Sequence, residues 1–254
     1  IVNVLALFYK ATEFLGLPGK LGFSIIFMTI FMRLILYPLT KAQLTSARKM
    51  ANLKPKMDEL SKKHKDNKQA LQQAQLALYK EHNINPASGC LPLLIQFPVL
   101  IALYNVFYQF FGARDLAKFV SELNTVLYLP FLHLKTIDLS FFGANLSWKP
   151  NEWQKYGWWM ILVPIITALL QWYQTKLSMQ QAAPVQTPAV QPEQKDKNQT
   201  QDDMMQMQKQ MAIISPLMFA WFAYGFPLGL ALYWNIFGLF GIMQQIQVNK
   251  AHKQ

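Results

Sequence analysis

One cysteine, Cys90, excludes an intramolecular disulfide and a thiolate metal cluster, and its place at the start of an apolar run fits a small core residue. Acidic residues are scarce as well. Thirteen Asp and Glu stand against twenty-four Lys and Arg, for a net charge of +11. None of the thirteen lies in any of five long apolar runs, so those runs hold no carboxylate pair or acidic proton relay. The sequence lacks G-x-x-x-x-G-K-[ST], so no nucleotide hydrolysis cycle is expected. It also lacks H-E-x-x-H and G-x-S-x-G, and no catalytic residue, metal or cofactor is assigned. The chain is therefore not expected to be an enzyme, and it shows no internal repeat.

What is present is hydrocarbon: 52% of the 254 residues are hydrophobic and 14% aromatic, against 15% charged. The apolar runs cover residues 21–40, 91–111, 156–173, 211–225 and 228–243. They are apolar all round rather than on one stripe, which separates them from amphipathic helices of a soluble domain. Runs of this kind match the roughly 30 Å hydrocarbon core of a bilayer. Trp158, Trp159, Trp172 and Tyr173 stand at the two ends of the third run, where aromatic belts sit. The expected fold is an all-α integral membrane protein with five transmembrane helices. Residues 1–20 are too short an apolar stretch to span, and are read as a helix lying at the interface. The chain begins at Ile1, so a removed signal peptide or upstream span is also compatible with it.

The basic residues sort by side. Counting alternate connections gives sixteen Lys and Arg on the side of segment 41–90, loop 174–210 and tail 244–254. Seven lie on the side of residues 1–20 and segment 112–155. The positive-inside rule then places the N-terminus outside and the C-terminus in the cytoplasm. This accounts for the basic balance without a nucleic-acid partner. The last three runs are short, the fourth reaching about 22 Å at ~1.5 Å per residue, so local bilayer thinning is one expectation. The other is that the helices run past these boundaries.

Residues 41–85 read as a cytoplasmic helical hairpin. Leu53, Met57, Leu60 and His64 make one side of a narrow seam; Leu71, Ala74 and Leu78 make the other, across a polar tip at Asp66-Asn67. Pro55 fits the first turn of the first arm. The Lys- and Gln-rich outer faces suit solvent, anionic headgroups or a partner. Residues 180–203, with Pro184, Pro188 and Pro192 among Gln, Lys and Asp, read as a mobile loop. The outer segment, with Phe141, Phe142 and Trp148, reads as lying against the membrane surface.

Arg33 interrupts the first run. An arginine at mid-span costs at least about 2.5 kcal/mol on insertion scales and ordinarily faces a bundle interior or water. With no carboxylate in any run, its partners must be water, backbone, dipoles or something that arrives. Snorkelling to the cytoplasmic end is the plainer reading; a polar cavity is the one favoured here. Thr29 and Tyr37 share its face. Gln96, Asn105, Gln109, Gln171 and Asn235, with Gln244 and Gln245 just past the last run, add amides suited to interhelical bonds.

Three stretches resemble a known family. Thr29-Ile-Phe-Met-Arg33 with Tyr37-Pro-Leu-Thr-Lys-Ala-Gln43 resembles the first core span of the YidC/Oxa/Alb membrane protein insertases. Asn85-Pro-Ala-Ser-Gly-Cys-Leu-Pro-Leu-Leu-Ile-Gln-Phe-Pro98 with Ala102-Leu-Tyr104 resembles the second, and Phe226-Pro-Leu-Gly-Leu-Ala-Leu-Tyr-Trp234 the turn into the last. The resemblance covers nearly the whole chain. It implies a five-span core around a hydrophilic groove, with a cytoplasmic hairpin needed for activity. It also implies insertion of hydrophobic segments of nascent proteins into the bilayer of a bacterial plasma membrane. Carried over by position, the substrate-binding groove holds Arg33, Thr29, Gln171, Trp234 and Tyr233. Nascent membrane proteins, the lipid bilayer, the Sec translocon and the ribosome are the implied partners. Leu228 departs from the small residue common in that turn. No large extracytoplasmic domain is present to supply partner contacts, and the short, mildly basic tail argues against strong tail-mediated ribosome binding. The alternative reading is a small-solute transporter or channel, which ordinarily shows paired ionisable residues or broken helices in corresponding halves.

Overall fold

A computed structural model describes residues 1–64, 67–82, 116–179 and 199–251, together with Pro98, Ile101, Tyr104 and Asn105. The second apolar run, 91–111, is otherwise outside the described residues, as are Cys90, Gln96, Gln109 and residues 180–198.

The described chain is mostly helical. Helix α1 (Val2–Phe14) buries Leu5, Tyr9 and Thr12, spaced four and three apart, against α2 (Lys20–Ile35). The turn between them places Gly16 and Gly19 at positive φ. Helix α2 turns Leu21, Ile25, Met28 and Thr29 inward and leaves Phe31, Leu34 and Ile35 exposed.

The first apolar run is not one straight helix over 21–40. Helix α2 ends at Ile35, and α3 (Tyr37–Asn52) leaves it at an angle of 59°. Pro38 explains the break: it has no N–H for the carbonyl of Leu34 and disfavours helical geometry before it. Helix α3 therefore carries the chain directly into α4 (Lys54–Lys63), which pairs with α5 (Lys68–Glu81). Met50, Leu53, Met57 and Leu78 form a small core between these helices, with Leu60 and Tyr79 packed on it. Asn67 caps α5 by accepting from the N–H of Ala70 at 3.0 Å.

On the other face, α6 (Leu116–Thr125) buries Phe119, Val120 and Leu123. A short hairpin pairs β1 (Ser140–Phe141) with β2 (Ala144–Asn145) through a turn at Phe142 and Gly143, both at positive φ. Phe141 plugs the gap above Gly22, where an added Cβ would meet its ring at 2.1 Å. A 3-10 turn at Trp158–Ile161 leads into α7 (Leu162–Met179), followed by α8 (Gln199–Gly225) and α9 (Leu228–Ala251). Helix α7 packs on α8 and on α9, and α9 packs on α2.

Helices α8 and α9 are longer than the apolar runs that announce them. Helix α8 has 27 residues and spans about 40 Å at ~1.5 Å per residue. Its purely apolar stretch is nevertheless only Ile213–Gly225. Among the described residues, no single helix is both long and apolar enough to cross a membrane by itself; α2 and α3 meet that test only together, as a bent pair.

Burial is inverted relative to a water-soluble bundle. Trp221 is 69% exposed and Ile213 65%, and Leu217, Leu169, Ile165 and Trp172 also face outward. Arg33, Thr29, Gln244, Gln245 and Thr167 are buried. Exposed apolar stripes of this extent mark surfaces covered by lipid or protein rather than water.

Candidate functional site: Arg33 against the last helix

Arg33 lies in the last turn of α2, just before the bend, and is 6% exposed. Its guanidinium enters a gap on α9. Nη1–H donates to Oε1 of Gln244 at 3.2 Å, and Nη2–H donates to the backbone carbonyl of Phe237. The guanidinium carbon sits 3.5 Å from the centroid of the Phe237 ring, a cation–π contact. Nε is buried with no hydrogen-bond partner. Gln244 answers through its other end, Nε2–H donating to the carbonyl of Arg33 at 3.3 Å. That carbonyl belongs to the last turn of α2, where intrahelical partners run out.

The gap exists because residue 241 is glycine. A Cβ there would lie 2.7 Å from Arg33 Nη2 and 2.8 Å from Nε2 of Gln174, which reaches in from α7. One turn further along, Ser178 and Gln245 approach at 3.4 Å. Three helices thus bring polar side chains to one buried place. Among the described residues, all the neighbours of the charge are neutral.

The residues expected at the site fare differently. Arg33 is buried, and its partners among the described residues are backbone, an amide and a ring. Thr29 is fully buried but donates to its own helix, to Ile25 O at 2.6 Å. Tyr233 is buried, its ring 5.8 Å from that of Phe237. Trp234 is half-buried and packs on Phe219 of α8, ring centroids 4.6 Å apart. Gln171 is half-buried on α7, one turn before Gln174. Among the described residues no hydrogen bond joins Arg33 to Thr29, Gln171 or Trp234. Gln174, Phe237 and Gly241 were missed; the signal was the four-three spacing of Phe237, Gly241 and Gln244 on one helix face.

Two other places bear on how the site is held. The start of α9 is fixed from outside: Leu228 N–H donates to Trp148 O at 2.8 Å and Gly229 N–H to Leu146 O at 2.9 Å. Leu228 is buried in the main core, which gives that departure from the family turn a packing role. Beside it, a cavity of about 410 Å³ lies between Phe142, Trp159, Val163 and Leu232; Asn235, on its wall, has a buried Oδ1 with no partner. At the other end, Arg48 of α3 donates to the carbonyls of Val248 at 3.0 Å and Asn249 at 3.3 Å, capping the C-terminal turn of α9.

Comparison with known proteins places this arrangement. The family described as "60Kd inner membrane protein" matches residues 13–254. The membrane protein insertase YidC of Rickettsia conorii is 30% identical over 243 residues, covering 96% of this chain and 38% of the relative. That of Rickettsia canadensis is 32% identical over 243 residues, with the same coverage. The chain thus spans well under half the length of these relatives. A crystal structure of active YidC insertase with its first transmembrane domain resolved matches at TM-score 0.51 and 27% identity, over 98% of this chain and 45% of that one. A family match over nearly every residue, with a shared fold, is sufficient: this chain belongs to the 60Kd inner membrane protein family.

Proposed function

We propose that the chain is the core of a membrane protein insertase, moving hydrophobic segments of newly made proteins from the cytoplasm into the bilayer. One observation carries the chemical part: among the described residues, Arg33 is a buried cation held by neutral groups. A single-span substrate has to move a polar, often acidic, flank across hydrocarbon. A buried arginine with no permanent counter-charge offers that flank a transient partner in a low dielectric, where attraction is strong. The apolar segment then leaves for lipid along the apolar faces of α7 and α8, driven by burial of its side chains. The chemistry is non-covalent and needs no cofactor.

The same reading has five spans around a hydrated groove, residues 91–111 supplying the second, in a bacterial plasma membrane. The N-terminus lies outside, and the α4–α5 hairpin and C-terminus in the cytoplasm. The sixteen-to-seven bias of basic residues and the outward apolar faces support this orientation. Nascent chains are the substrates, with the ribosome and the Sec translocon as partners. The length of α8 removes short helices as a reason for bilayer thinning, while the short apolar stretch Ile213–Gly225 keeps one.

The test is insertion of a single-span protein with an acidic flank into vesicles carrying the intact protein. Arg33→Ala should reduce insertion and Arg33→Lys should restore part of it. Normal insertion by both variants would refute the counter-charge role. Ion conductance or solute uptake without insertion would favour a transporter.

A further inference from the structure

We propose that Gln244 positions Arg33 for acidic segments: it is the neutral group that holds the guanidinium at rest, in the gap left by Gly241, and releases it to an incoming carboxylate. This rests on the reading of Arg33 as a transient counter-charge.

Gln244 is placed to do this by two bonds of opposite sense. Its Oε1 accepts from Arg33 Nη1 and its Nε2–H donates to the Arg33 carbonyl, so one side chain grips the head and the root of the arginine. An amide can hold a guanidinium without cancelling its charge. A carboxylate in the same place would form an ion pair with the guanidinium, with bidentate geometry open to it, and would not yield. The amide is therefore a partner that an acidic flank can outcompete.

The guanidinium keeps donors for the exchange. It carries five N–H groups; Nη1 and Nη2 each make one bond, and Nε makes none. The Phe237 ring covers one face of the guanidinium. Gly241 is a condition of the arrangement, since any side chain there would overlap both Arg33 and Gln174. Gln244 is thus a positioning residue, acting through Arg33 rather than on the substrate.

The experiment reads a ratio. Vesicles carrying the intact protein are given two single-span substrates that differ only in an acidic or an uncharged flank. The insertion ratio is compared for the native sequence, Gln244→Glu, Gly241→Ala and Arg33→Ala. Gln244→Glu supplies Arg33 with a permanent counter-charge, and an opposite charge at this range changes such equilibria roughly ten-fold or more, so the acidic-to-uncharged ratio should fall by about that factor. Gly241→Ala should lower the ratio in the same direction by displacing the guanidinium. If Arg33→Ala lowers the ratio and the other two variants leave it at the native value, the positioning role is wrong and the counter-charge reading stands. If Arg33→Ala leaves the ratio unchanged, both fall together. Equal losses for both flanks in Gln244→Glu and Gly241→Ala would assign these residues to packing alone and overturn the proposal. Should Gln244→Glu fail to fold, Gly241→Ala carries the test with the same two readings.

Discussion

The two halves of α9 are held by different means. Its outer half starts from two backbone hydrogen bonds to Leu146 and Trp148 and packs into the main core with Leu21, Ile25, Met28 and Met160, side chains that are almost completely buried. Its inner half is held by side chains: Arg33 at Phe237 and Gln244, Gln245 at Ser178, and Arg48 at the terminal carbonyls. Backbone bonds and apolar burial have no competitor waiting in solution. Bonds to a cation and to amides can be exchanged for bonds to something else. The first of these halves is the anchored end, and the second is joined to α2, α3 and α7 through polar side-chain bonds.

Four substitutions test that contrast. Ile25→Ala opens a cavity in the outer core and should cost about 2–5 kcal/mol, read as a large drop in thermal stability in detergent. A loss under about 1 kcal/mol would mean that the outer half is not the anchor. Arg48→Ala leaves two carbonyls of the last turn uncapped and should cost about 1 kcal/mol, seen as faster hydrogen exchange confined to the end of α9 and to α3. Exchange accelerated equally at the start of α9 would erase the division into halves.

The third concerns the outer segment. The Ser140 hydroxyl and backbone N–H both donate to the Asp138 carboxylate and hold its pKa below the usual value. The sign follows: a depressed folded pKa contributes stability above the unfolded value and loses it as pH falls through the folded one. Asp138 is mostly exposed, so the contribution should be about half a kcal/mol or less. Asp138→Ala should therefore be slightly less stable at neutral pH and indistinguishable in strong acid; a gap that persists in acid would contradict this. The fourth substitution is at the site itself. Arg33→Met removes the desolvation cost of a buried cation but leaves Gln244 Oε1 and the Phe237 carbonyl each short of one bond; these effects of opposite sign, of about 1–3 kcal/mol each, should leave thermal stability within about 1 kcal/mol while insertion of acidic flanks falls. A large loss of stability would make Arg33 a structural residue.

Much of this was legible before any coordinates. Helices α2, α7, α8 and α9 each overlap an apolar run, because an all-round apolar sequence of that length has few other uses. The hairpin seam at Leu53, Met57 and Leu78 followed from helical spacing, although Met50 from the stalk joins it and Gln75 is buried beside it. The bend at Leu36 was missed: hydropathy continues through Tyr37-Pro38-Leu39 and does not register a lost backbone donor. The partners of Arg33 were missed for a different reason. Phe237 and Gln244 stand 204 and 211 residues away in the chain, and only the packing of α9 on α2 brings them within hydrogen-bond range.

By itself the sequence determined which segments avoid water, how the basic residues divide between the two sides, and that one arginine lies among apolar residues with no carboxylate in any run. Those are properties of composition along the chain, set by the transfer energies of individual side chains. Which neutral groups hold that arginine, and that a missing Cβ at residue 241 makes room for it, was decided by tertiary structure. Hydrogen bonds and steric gaps depend on distances of a few ångströms between helices, and such distances come into being only when α2, α7 and α9 pack together.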